Sequence, residues 1–75
     1  MMTFSQAMRK QPPKPGSRAH ALWLAFQELP PKEQAAVGDM ALALMSEVPN
    51  VGPHAALEIT YAVARLARLA RQQGA

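Results

Sequence analysis

Prolines divide this chain into helix-length pieces before any other feature acts. Pro12, Pro13 and Pro15 fall within residues 10–16, Pro30 and Pro31 are adjacent, and Pro49 and Pro53 flank Asn50, Val51 and Gly52. Proline lacks a backbone donor, and it pushes the residue before it out of the helical region. Three stretches remain, at about 18–29, 31–47 and 53–73, and each repeats its apolar residues with helical period. Ser17 is a good N-cap for the first stretch, Pro31 with Glu33 suits the start of the second, and Pro53 and Gly74 bracket the third. Strand-like alternation is absent. The expected fold is therefore all-α, a three-helix domain over residues 17–75.

Residues 1–16 read differently. Residues 1–9 are expected to form a loose turn or two, with Phe4, Ala7 and Met8 on one side. The run Lys10-Gln-Pro-Pro-Lys-Pro-Gly16 favours an extended polyproline conformation. The expectation is an extended, proline-rich, basic N-terminal arm, either flexible or docked.

Projection at 100° per residue assigns each helix a core arc. The first arc holds Ala19, Leu22, Ala25, Phe26 and Leu29, with Trp23 at its edge. The second holds Ala36, Val37, Met40, Ala41, Leu44, Met45 and Val48. The third holds Ala55, Ala56, Ile59, Ala62, Val63, Leu66, Ala67, Leu69 and Ala70. Opposite these arcs lie further apolar residues: Leu24, Leu42 beside Ala35 and Gly38, and the line Leu57, Tyr61 and Ala64. A domain of 75 residues rarely draws more than ~3–5 kcal/mol from one core. With no cysteine, disulfides and thiolate metal sites are excluded. The surplus apolar surface thus predicts a helix-packed homodimer, a protein partner, or both.

Charge is segregated. Arg9, Lys10, Lys14 and Arg18 stand without an acid in the first 18 residues. Lys32 then faces Glu28, Glu33, Asp39, Glu47 and Glu58, and Arg65, Arg68 and Arg71 close the chain, for a net +3. Basic ends around an acidic middle suit nucleic acid, an acidic protein, or docking of one copy's tail on another's middle. Residues 29–34, Leu-Pro-Pro-Lys-Glu-Gln, resemble the start of the DNA-binding C-terminal region of bacterial sigma factors, which implies a helix-turn-helix. The rest departs from that pattern. Pro49 and Gly52 occupy the loop, and the third helix carries no basic or amide side chain but His54 in its first half, where recognition helices place their base contacts.

Site chemistry is sparse. No phosphate loop, zinc pattern or calcium loop occurs, and His54 with Glu58, four apart, suit a helical ion pair better than a metal site. The sequence therefore predicts no catalytic residue, no cofactor and no metal. It predicts a non-enzymatic interaction or regulatory module that binds and modulates a larger partner, in the style of a small bacterial, plasmid or phage accessory protein. Its association surfaces are expected at Leu57, Tyr61, Ala64, Arg65, Arg68 and Arg71, and at Leu24 and Leu42. The alternative is a dimeric nucleic-acid-binding transcriptional regulator using Arg9, Lys10, Lys14 and Arg18 with the C-terminal arginines. No run of about 20 apolar residues suggests a membrane span, no segment reads as a signal peptide, and the missing cysteines fit a cytoplasmic location.

Overall fold

A computed structural model describes residues 2–74, so the first residue of the expected arm and the last of the expected helical domain lie outside the described residues. The described chain is all helical, with α1 at Phe4–Lys10, α2 at Arg18–Glu28, α3 at Pro31–Glu47 and α4 at Pro53–Gly74. Four helices replace the expected three, because the head of the arm folds. Thr3 caps α1 through a capping box: its hydroxyl accepts from the Gln6 amide at 3.1 Å, and the Gln6 side chain accepts from the Thr3 amide at 2.8 Å. Arg9 and Lys10 sit in the last turn, where cations meet the negative end of the helix dipole.

A helix of 7 residues is marginal alone, so packing must hold α1. Phe4, Ala7 and Met8 are all buried. Phe4 meets Phe26 edge-on at 5.5 Å between ring centroids, and Trp23 stacks on Phe26 at 5.4 Å. The proline-rich segment is also pinned, with Pro13 buried and the Gln11 carbonyl bonded to the His54 ring. The arm is thus not a free extension. Its three apolar side chains close a core that α2, α3 and α4 leave open.

The other helices begin and end at their punctuation. The Ser17 hydroxyl accepts from the His20 amide at 3.1 Å, and α2 gives way at Leu29 to extended backbone before Pro30. Pro31 opens α3, and the Gln34 side chain donates to the Phe26 carbonyl at 3.1 Å, tying the two helix ends together. The turn to α4 passes through Asn50 in the left-handed region, with φ at 64°, a conformation asparagine tolerates. The core gathers Phe4, Met8, Phe26, Ala41, Ala56 and Leu57, with Leu22, Trp23, Val37, Leu42, Leu44, Met45 and Tyr61 packed around it.

On α4 two assignments of helix face change. Leu57, expected on an outer line of α4, is 0% exposed at the centre of the core, and Tyr61 beside it is half-buried. Ile59, Val63, Leu66 and Leu69, expected inside, are exposed. The cause is that only the first half of α4 reaches the core. Within that half Leu57 and Tyr61 are the bulky residues on the side that also buries Ala56, while the outward side has Ala55 and only Ile59 as a large side chain. The helix turns its larger side chains inward.

Candidate interaction surface

At 22 residues α4 outruns its partners, α2 having 11 and α3 having 17. It packs on α1, α2 and most extensively on α3, with Pro53, Ala56, Leu57 and Thr60 buried. From residue 62 to residue 74 every position is exposed. This outer half is over three turns long, roughly 20 Å. It is amphipathic. Ile59, Ala62, Val63, Leu66 and Ala70 make one continuous stripe with Leu69 at its edge, and Leu66 is 65% exposed. Arg65 and Arg71 border the stripe on either side, and Ala64 and Arg68 lie opposite it.

A second stripe runs along α3. Ala36, Met40 and Ala43 are exposed, Met40 by 47%, with Glu33 and Glu47 at the ends of the row and Asp39 beside it. Gly38, which faces Phe4 of α1, lies about 160° around α3 from Met40 at the helical pitch. On α4, Ile59 and Leu66 lie roughly opposite Leu57, and Glu58 and His54 point toward α2 and the segment after α1. Both stripes therefore occupy the side of the α3–α4 pair that α1 and α2 leave uncovered. Sequence projection placed the α4 stripe, and Ala36 and Met40 of α3, in the core. The excess length of α4 over α3 was the available signal that part of its stripe would find no neighbour within the chain.

The residues expected to form association surfaces do not come together. Leu57 is core, which removes it as a surface residue. Tyr61 packs against the core, and burial pushes its phenol above the ordinary value of 10.0. Leu42 is half-buried and lines a shallow cleft of about 360 Å³ with Met2, Phe4, Pro31, Gln34 and Asp39. Leu24 is 50% exposed on α2. Ala64, Arg65, Arg68 and Arg71 remain together on the outer half of α4. Of the basic residues nearer the start, Arg9, Lys10 and Lys14 are exposed, and Arg18 reaches Glu58 at 3.7 Å. That ion pair is solvated, its side chains 77% and 40% exposed, and contributes little. His54 and Glu58 turn to different partners, the Gln11 carbonyl and Arg18.

Among the described residues no group of three or more histidine, aspartate or glutamate side chains is placed to hold a metal, and no helix is long and apolar enough to cross a membrane. No family model matches the chain, and neither a curated protein nor a solved structure matches it.

Proposed function

We propose that this protein is a non-enzymatic interaction module, cytoplasmic and self-associating, that binds and modulates a larger protein through the outer half of α4. One observation carries the reading: residues 62–74 form an amphipathic helix in which every position is exposed. A helix of that length is marginal in water without tertiary packing. Its two sides offer different chemistry. The apolar stripe of Ile59, Val63 and Leu66 suits helix-on-helix packing. The opposite side, with Ala64 and Arg68 between the bordering Arg65 and Arg71, suits an acidic protein surface at Arg68, because arginine binds carboxylates bidentately.

Arg68 lies opposite the apolar stripe, so it separates partner binding from self-association. Capture from the native host with the wild-type chain and with Arg68→Glu is the test. The reading requires a protein retained by the wild type and lost from the variant, with the variant's own mass in solution unchanged. Identical captured sets would contradict it.

A second reading, a dimeric nucleic-acid-binding regulator, draws on the exposure of Arg9, Lys10, Lys14, Arg18, Arg65, Arg68 and Arg71. Phosphate-driven binding releases counterions and falls steeply with salt. Retention on random duplex DNA at low salt, abolished both by added salt and by alanine at Arg65, Arg68 and Arg71, would favour that reading over the first.

A further inference from the structure

We infer that the uncovered side of the α3–α4 pair is closed by the same side of a second copy, with α4 of each chain lying across α3 of the other. This rests on the self-association in the proposed function and specifies its geometry. A two-fold arrangement presents one patch to itself, so the choice lies among three pairings of the exposed stripes. Charge decides among them. Outward from Glu58, α4 carries Arg65 and Arg71 beside its stripe and no acid. α3 carries Glu33, Asp39 and Glu47 around its stripe against the single cation Lys32.

Pairing α4 with α4 brings arginine borders together, and pairing α3 with α3 brings acids together. Like-charge juxtaposition across an interface disfavours both. Laying α4 on the neighbour's α3 sets Arg65 and Arg71 against an acidic helix while Val63 and Leu66 cover Met40, Ala36 and Ala43. Small alanines on both stripes permit close approach of the helices. A two-fold axis parallel to the α3–α4 pair generates this contact twice. Ala64 and Arg68, on the far side of α4, stay outward for a different partner.

The test uses the full chain in two charge-reversed forms. One carries Arg65→Glu with Arg71→Glu, and the other Glu33→Arg with Asp39→Arg. Sedimentation equilibrium should give wild type at twice the 8.1 kDa chain mass. Each variant alone should dimerise more weakly, on the order of tenfold or beyond. Mixed in equal amounts, they should recover wild-type affinity as a heterodimer, because both α4-on-α3 contacts are then matched in sign. Circular dichroism checks that each variant remains helical. Because Glu33 also serves the first turn of α3, Val63→Glu mixed with Met40→Lys gives an independent pair expected to behave alike.

Variants that dimerise as well as wild type, or mixtures that stay dissociated, would overturn the α4-on-α3 pairing. A wild-type chain that keeps a single-chain mass at high micromolar concentration would overturn the second copy altogether. These outcomes are read on the purified chain alone, so they stand apart from loss of the larger partner, which the Arg68→Glu capture reports.

Discussion

The Tyr61 hydroxyl is buried and makes no hydrogen bond among the described residues. Its neighbour Thr60 is also buried but donates to the Ala56 carbonyl at 2.8 Å, which satisfies it within the helix. A buried polar atom without a partner costs about 1–3 kcal/mol, so Tyr61→Phe should raise stability by roughly 1 kcal/mol in urea denaturation at neutral pH. A loss of that size would mean the hydroxyl has a partner in solution. The same burial raises the phenol's pKa in the folded state. The stability linked to that shift is fully present below the unfolded value of 10.0 and is lost as pH rises above it toward the folded value. The wild type should therefore lose stability above pH 10.0 more steeply than Tyr61→Phe does. Gly38 gives a second residue-scale prediction. A Cβ there would meet the Phe4 Cβ at 3.5 Å and the Phe26 ring at 3.7 Å, ordinary contact distances. Gly38→Ala should then gain most of the ~1 kcal/mol that glycine costs inside a helix, and a falling melting temperature would show α1 packing more tightly than these distances imply.

At the scale of elements, the two faces of α4 separate by substitution. Leu57→Ala removes a fully buried side chain and should cost ~2–5 kcal/mol, whereas Leu66→Ala at concentrations too low for association should change folding stability by no more than ~0.5 kcal/mol. Equal costs would return the outer stripe to the core. Phe4→Ala should be as damaging as Leu57→Ala, because the head of the chain is part of the core. Helix positions were readable from sequence because their causes are local: Ser17 caps α2, Pro30 and Pro31 separate α2 from α3, and Pro53 opens α4. The orientation of α4 was not readable, since it depends on which turns meet the other helices. A projection over the whole helix weights Val63, Leu66 and Leu69 equally with Leu57, although only Leu57 has neighbours. For α1 the turns and the side formed by Phe4, Ala7 and Met8 were readable, but its docking into the core was not. What holds its seven residues is Phe26 and Gly38, remote in sequence. The arginines of the candidate surface were legible as a row, but Met40 was not, because a methionine on a helical stripe reads as core until its surroundings are known.

For the molecule as a whole, extents of 41 × 27 × 22 Å describe a small bundle with a long axis, and α4 accounts for much of that length. The core lies around the first half of α4, and the second half extends an apolar stripe into solvent. A short helix without packing should fray, with amide protection close to zero. Covering by another molecule changes that, and for a second copy the cover depends on concentration by mass action. Amide hydrogen exchange of purified chain across a concentration series, read over residues 62–74, tests this most directly. Protection in that segment should climb as the chain is concentrated, while protection of residues 56–60 in the core stays nearly constant. Slow exchange that persists unchanged at the lowest concentration, or fast exchange that persists unchanged at the highest, would contradict association through the exposed half of α4.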